Sequence, residues 1–329
     1  MKAPGFWYRP PGLLAGLLSP LGAVYGFFTR RRLSSVRPFD PGVPVICAGN
    51  LVAGGQGKTP LAIALAARLT ARGRQIGFIT RGYGGQITEA TRVDPLVHSA
   101  VDVGDEPLLL AAHGPVYVGR RRPAAARLAV ADGADVLIMD DGFQNPSLVK
   151  DLSLVVVDGG SGFGNGRLIP AGPLRERVAD GLARADAVVI IGRDALGVAR
   201  QVRQHAGDLP ILPGELVPDD DARRLAGQTV VAFAGIGRPH KFFAMLDTLG
   251  ADVISRYSFA DHHTYRPDDM QRLVEMAAAA EAMLVTTTKD FARLPPDIRK
   301  VVEIVEVSIA FADDAAVDRL LDRALGRRG

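Results

Sequence analysis

Cysteine is almost absent. Cys47 is the only one in 329 residues, which excludes an internal disulfide framework and any multi-cysteine zinc site. A buried, inert thiol is the expectation there, and a reducing, cytoplasmic compartment fits it. Charge of one sign is scarce too: a net charge of +3 gives no compositional ground for a polyanion partner, so no nucleic acid is expected. Internal repeats and low-complexity tracts are missing, apart from Ala277 to Ala280. Also missing is the run of roughly 20 uninterrupted apolar residues that a spanning helix wants. The nearest stretch, Leu13 to Phe28, follows Pro11 and contains Pro20. Its arginines come after it, the reverse of a secretory signal.

What is present is a composition of 47% hydrophobic and 23% charged residues, that of a folded chain long enough for two cores. Residues 1–37 form an arm of their own: Phe6, Trp7 and Tyr8, then the apolar stretch, then Arg30, Arg31, Arg32 and Arg37. This order suits a membrane-interfacial segment, peripheral or monotopic. Its aromatics would sit at headgroup depth, its leucines in the acyl boundary and its arginines on anionic lipid.

The centre of the chain is Gly49 to Pro60, with Gly54, Gly55, Gln56, Gly57, Lys58 and Thr59 at its heart. An apolar run, Val43 to Ala48, precedes it, and Ala and Leu at helical spacing follow from Leu61 to Ala71. Strand, glycine loop and helix make the setting of a phosphate-binding loop. Backbone N–H groups turn in around an anion, and the helix N-terminus adds favourable partial charge. Lys58 would reach the β- and γ-phosphates, and Thr59 would offer its hydroxyl to Mg²⁺. The usual first glycine of such a loop is replaced by Val52.

A second anchor is the run Val136 to Asp141, which ends in two acids. A buried parallel strand presents a carboxylate at its C-terminal end in this way, so Asp140 or Asp141 would hold Mg²⁺ on a nucleotide. Further strands are expected at Gln75 to Thr80, Val116 to Val118, Leu152 to Asp158 and Ala187 to Ile191, with helices at Leu108 to Ala112 and Pro123 to Ala131. This alternation predicts an α/β core, a P-loop NTPase-like, mostly parallel sheet with helices on both faces, over residues 38–210. Pro210, Pro213, Pro218 and the acidic run Asp219 to Asp221 mark a boundary. A smaller C-terminal α/β domain, 211–329, is expected beyond it. It would have strands at Thr229 to Ala234 and Met283 to Thr287, and helices near Lys241 to Thr248 and Asp268 to Ala282.

Three kinds of protein pair such a loop with such a strand: a kinase acting at a membrane, a GTPase switch, and a membrane-partitioning ATPase. A guanine-reading Asn-Lys-x-Asp is not present, since Thr288-Lys-Asp-Phe291 lacks the asparagine and the final aspartate. The partitioning ATPases usually carry an early second lysine, where Ala53 stands here. The kinase remains.

The strings Phe6-Trp7, Gly49-Asn50 through Pro60, Arg81-Gly-Tyr-Gly-Gly85, Gly104-Asp-Glu-Pro107, Asp140-Asp-Gly-Phe-Gln144, Arg167 to Glu176, Asp261-His262 and Lys289-Asp290 occur here in order. Together they resemble the tetraacyldisaccharide 4'-kinase family of lipid A (lipopolysaccharide) biosynthesis. Val52 and Gln56 stand where that family usually has threonine, and Asn145 where it commonly has histidine. The resemblance implies ATP as donor and the 4'-hydroxyl of tetraacyldisaccharide 1-phosphate, the lipid A disaccharide precursor, as acceptor. It implies work at the cytoplasmic face of the bacterial inner membrane. It also implies that Asp105 and His262 act as a pair at the acceptor hydroxyl, an arrangement suited to general-base catalysis. Arg81, Arg120, Arg122 and Arg175 are candidate contacts to ATP phosphates or to the lipid phosphate, and Gln144 and Glu176 to metal-bound water or substrate hydroxyls.

Overall fold

A computed structural model of the chain describes residues 4–261 and 263–328. Short apolar runs become strands: β1 (Val45–Gly49), β2 (Ile76–Thr80), β3 (Thr91–Arg92), β4 (Val116–Val118), β5 (Val136–Asp140), β6 (Leu152–Asp158), β7 (Ala187–Ile191) and β8 (Ile211–Pro218). Later come β9 (Thr229–Ala234), β10 (Asp252–Ser258), β11 (Met283–Thr287), β12 (Val302–Val305) and β13 (Val307–Phe311). Among the described residues, one nine-stranded sheet runs in the order β13-β8-β7-β6-β1-β5-β2-β4-β3. The ladders from β8 across to β4 are parallel, and β3 joins β4 antiparallel.

Both faces of this sheet are covered, as its wholly buried strands require. On one face Ile46 and Ala48 of β1 meet Leu61 and Leu65 of the helix α2 (Lys58–Ala71), with Leu320 and Leu321 of the last helix, Asp314–Gly326. On the other, Val45 and Cys47 meet Ala125 and Ala129 of the helix Arg122–Ala131, with Leu182 and Val198. Cys47 is fully buried, and burial pushes its thiol up to about 11. The expected mostly parallel α/β sheet is what forms.

The chain divides into two compact units. The larger runs to Leu216 and resumes at Ile309, and the smaller is Val217–Ser308. The smaller unit holds a parallel sheet, β10-β9-β11-β12, between the helices Pro239–Thr248 and Pro267–Ala279. Assigning 211–329 to one C-terminal domain therefore needs correction: residues from 309 onward belong to the larger unit. The reason lies in the last helix. Val317, Leu320, Leu321 and Ala324 form its buried stripe, and Asp314, Asp318 and Asp322 pair with Arg68 and Arg72 of α2. The boundary marked by the prolines falls between Leu216 and Val217, inside β8, so Pro213 and Pro218 lie within a strand. Pro213 lies in β8 opposite Ile190, and its carbonyl accepts the Ala312 N–H at 3.0 Å. Proline loses a donor in a strand but keeps its acceptor.

The arm has a short 3-10 turn, Gly5–Tyr8, and then the long helix α1 (Leu13–Ser35), with Pro20 inside it. Pro20 was expected to break the stretch. It is exposed, the residue four before it is Gly16, and only one helical bond is forfeited. At 23 residues, with an 18-residue stretch of mean hydropathy 1.2, α1 is long and apolar enough by length and composition to cross a membrane. One stripe of it, Ala15, Gly22 and Thr29, is buried. A Cβ on Gly22 would lie 3.0 Å from the Leu168 carbonyl, so a larger residue there would push the two backbones apart by a few tenths of an ångström. Trp7, expected at headgroup depth, donates its indole N–H to the Pro170 carbonyl at 3.0 Å, and Arg30 pairs with Asp180 at 3.0 Å.

Leu321 is fully buried under the large sheet. Leu321→Ala should lower unfolding free energy by about 2–4 kcal/mol, measured by urea denaturation of the whole chain. A loss within about 0.5 kcal/mol, the range of an indifferent surface change, would contradict the packing described.

Candidate active site

Two parallel neighbours end together. β1 runs into the glycine loop and β5 into the acid pair, with Ala48 opposite Asp140 and the Asp141 N–H donating to the Ala48 carbonyl at 3.0 Å. Past Gly49 the backbone turns away from the sheet, and it re-enters helical geometry at Lys58. Gly54 (φ 107°) and Gly57 (φ 91°) make that turn. A Cβ on Gly57 would also meet the Ile191 side chain at 2.4 Å.

Inside the loop the side chains divide their work. Lys58 is 9% exposed. Its ammonium donates to the Gly54 carbonyl at 3.5 Å and lies 3.8 Å from Asp141 Oδ2. Thr59 donates its hydroxyl to Asp140 Oδ2 at 3.0 Å. Gln56, grouped above with the nucleotide cradle, is buried and turned the other way. Its amide accepts from the Asp158 N–H at 2.8 Å and reaches Ser161 Oγ at 3.3 Å. Its side chain therefore ties the loop to the end of β6, leaving its backbone to line the cradle.

The two acids sit one residue apart and in opposite electrostatic settings. Asp140 is 1% exposed, and its Oδ1 has no hydrogen-bond partner. Burial, reinforced by the Glu106 charge, pushes its carboxyl up to about 7. Asp141 has a left-handed backbone (φ 49°), which swings its carboxylate onto the Arg175 fork at 2.6 and 3.2 Å. Burial would raise Asp141 as well, but Lys58 and Arg175 outweigh it and hold it down at about 2. A buried carboxylate oxygen without a partner, beside the threonine that follows the loop lysine, suits a Mg²⁺ ion held with one or two protein oxygens. Asp140 is thus the better-placed ligand, and Asp141 is committed to cations.

The other predicted residues are placed as follows. Arg175, Gln144 and Glu176 stand beside the acids but are largely occupied. Gln144 donates to the Asn50 carbonyl (2.7 Å) and to Glu176 Oε1 (2.9 Å), while Arg184 grips Glu176 with two bonds of 2.8 and 2.9 Å. They brace the loop from below. Arg122 is 6% exposed, approaches the Asp141 carbonyl at 3.5 Å and leaves its Nε unpartnered. Arg81 and Arg120 are exposed. Asp105 is buried and opens the helix Asp105–Ala111. Its support is the glycine loop 81–85, which packs backbone to backbone on residues 101–104. Gln86 and Ile87 donate to the Asp102 carbonyl, and a Cβ on Gly104 would strike the Tyr83 carbonyl at 2.4 Å. His262 lies outside the described residues.

Sequence reasoning passed over Glu106 and Asn50. Glu106 acts on Asp140, and Asn50 is wholly buried beside the loop with a free Oδ1. Their only signal was membership of the strings Gly104-Asp-Glu-Pro107 and Gly49-Asn50.

Residues 14–326 match the family Tetraacyldisaccharide-1-P 4'-kinase. A tetraacyldisaccharide 4'-kinase of Rhodospirillum centenum is 54% identical over 98% of this chain and 96% of its own. The enzyme of that name from Rhodospirillum rubrum is 51% identical over 99% of each. Among solved structures, "apo" form LpxK from Aquifex aeolicus in complex with ATP superposes with a TM-score of 0.75 at 24% identity, covering 95% of this chain and all of that one. At that identity the likeness establishes the fold.

Gly57→Ala would place a side chain on a left-handed residue and against Ile191. ATP affinity by calorimetry should fall at least about ten-fold, from a strain of roughly 1–3 kcal/mol at that residue. Unchanged affinity in a folded variant would mean that the loop geometry is not the binding geometry.

Proposed function

The chain belongs to the tetraacyldisaccharide-1-P 4'-kinase family, and from that premise we propose how its own residues carry out the reaction. The enzyme transfers the γ-phosphoryl group of ATP to the 4'-hydroxyl of tetraacyldisaccharide 1-phosphate. The observation that carries the assignment of roles is the meeting of Thr59 with Asp140 at 3.0 Å, at the ends of adjacent parallel strands.

Phosphoryl transfer asks a protein chiefly to position groups and neutralise charge. The backbone of residues 54–59 and the α2 N-terminus receive the triphosphate, and the Lys58 ammonium, half-withdrawn among carbonyl and carboxylate partners, turns to its β- and γ-oxygens. Thr59 and Asp140 would hold Mg²⁺, which when bound neutralises phosphate charge. Asp141 fixes Lys58 and Arg175, so that both cations face the phosphates at a set distance from one another. Arg122, buried with an unused N–H, is a further phosphate contact.

The acceptor hydroxyl must lose a proton. Asp105 and His262 are the pair for this, by the resemblance of their strings to the family's. A positioned base contributes on the order of 10²–10⁴ in rate. Burial of Asp105 at a helix start, braced by loop 81–85, suits an orienting carboxylate.

The lipid is met at the membrane surface. Leu13, Leu17, Leu21, Val24, Phe27 and Phe28 of α1 are exposed, and arginines 30 to 32 follow them. With one stripe packed on the protein, α1 lies in the cytoplasmic leaflet as a monotopic anchor and does not cross it.

Supplying ATP, Mg²⁺ and the lipid in detergent micelles should add one phosphate to the lipid, seen by mass spectrometry, and Lys58→Ala should abolish it. No phosphorylated lipid from folded protein would overturn the assignment. In the same assay Asp140→Asn should raise the Mg²⁺ requirement more than Asp141→Asn does, and equal effects would remove the distinction drawn between them. Deleting residues 1–28 should shift the protein from the membrane pellet to the supernatant. Unchanged partition would remove the anchor.

A further inference from the structure

Thr288-Lys-Asp290 is a string that phosphate chemistry leaves without a task. Asp290 is fully buried in the smaller unit, just past the end of β11. The Gly235 N–H (3.0 Å) and the Tyr265 hydroxyl (2.9 Å) donate to its Oδ1, and the Thr287 hydroxyl donates to Oδ2 at 2.7 Å. Arg293, itself almost buried, pairs with Oδ1 at 3.3 Å and also donates to the Gly235 carbonyl at 3.2 Å. The turn after β9 is thereby held by both its N–H and its C=O. An apolar core of the same volume is often at least as stable as a buried ion pair, so stabilising value is a weak account of it.

What the carboxylate helps to order is Phe259 and Ala260 on one side of position 262, and His263 and Tyr265 on the other. Tyr265, 4% exposed, packs edge-on against Phe233 of β9 (5.4 Å) and against Phe259 (5.2 Å). Phe259 donates its N–H to the Ala234 carbonyl at 2.9 Å, and His263 stacks on the Phe259 ring at 4.7 Å. His263 Nε2 also lies 3.1 Å from Asp269 Oδ2. The chain is thus pinned on both sides of position 262. There is little slack: a Cβ on Gly235 would lie 3.0 Å from Asp290 Oδ1, 3.0 Å from the Tyr265 hydroxyl and 3.1 Å from the Ala260 carbonyl.

We propose that Asp290, through Tyr265 and the Gly235 turn, is a positioning residue for phosphoryl transfer, ordering the residues on either side of His262. This rests on the reading of His262 as a member of the proton-relay pair. Asp290 is fully buried, so its effect passes through its neighbours. It holds the residues that flank the imidazole-bearing one, and small misplacements of a reacting group are costly in rate.

The test is steady-state kinetics on the full chain with ATP, Mg²⁺ and tetraacyldisaccharide 1-phosphate in micelles, for Tyr265→Phe and Asp290→Asn, each with and without His262→Ala. Each single change should lower kcat at least about ten-fold with KM for ATP within about two-fold, and should cost nothing further in the His262→Ala background. Unchanged kcat, or the same fold-loss with and without His262, overturns the proposal. Should Asp290→Asn not fold, Tyr265→Phe, which removes one hydroxyl from a packed ring, carries the same two outcomes. Should the His262→Ala rate fall below detection, the acid limb of the kcat–pH profile of Tyr265→Phe decides. A displaced limb supports the positioning role, and one superimposable on the unsubstituted enzyme refutes it. Wild-type turnover by His262→Ala alone would instead defeat the proton-relay reading beneath it, and that outcome is visible from the one variant.

Discussion

Parallel pairing of β1 with β5 is the constraint from which the site follows. Parallel neighbours finish at the same edge of a sheet, so the loop leaving one strand and the acids closing the other arrive side by side. Burial on both faces then fixes the register, because a slip would send Ile46 and Cys47 to the wrong cores. The hydrogen bond from Thr59 to Asp140 is the local outcome. One residue further on, the left-handed backbone of Asp141 separates two adjacent carboxylates into different environments, one starved of partners and one saturated with cations. A single backbone torsion thus divides metal-holding from charge-fixing.

The segment 165–184 supports two things at once. Its Pro173 carbonyl accepts from Ala53, and Arg175 donates its N–H to Leu51, so it braces the glycine loop. Leu168, Pro170 and Asp180 of the same segment receive α1 and Trp7. The apolar arm and the phosphate loop therefore rest on one common piece of chain within the larger unit.

Much of this was legible in the sequence. Buried parallel strands are short apolar runs, and β4, β5, β6, β7, β9 and β11 fall where those runs do. The loop and the acid pair were legible because glycine, lysine and terminal acids leave few alternatives. Other features depend on contacts that no local window contains. β8 went unread because prolines usually interrupt a strand, although Pro213 contributes its carbonyl to the sheet. The last helix declares itself only once Arg68 and Arg72 stand opposite its aspartates. That the Gln56 side chain would turn to Asp158, about a hundred residues later, while its backbone stays in the loop, could not be read locally. Pro20 was overweighted, since glycine four residues earlier and exposure on that side leave its cost small.

The smaller unit is inserted between two strands, β8 and β13, that are neighbours in the large sheet. During synthesis this sets an order of events. The glycine loop leaves the ribosome early, yet the helix that clamps α2 is translated only after the whole inserted unit. Domains usually fold in the order they emerge; here the interrupted one has to wait while the later-begun one finishes. A nascent chain stalled inside the insertion would carry an intact phosphate-loop string on an incomplete sheet, a natural substrate for chaperones and for quality-control proteases.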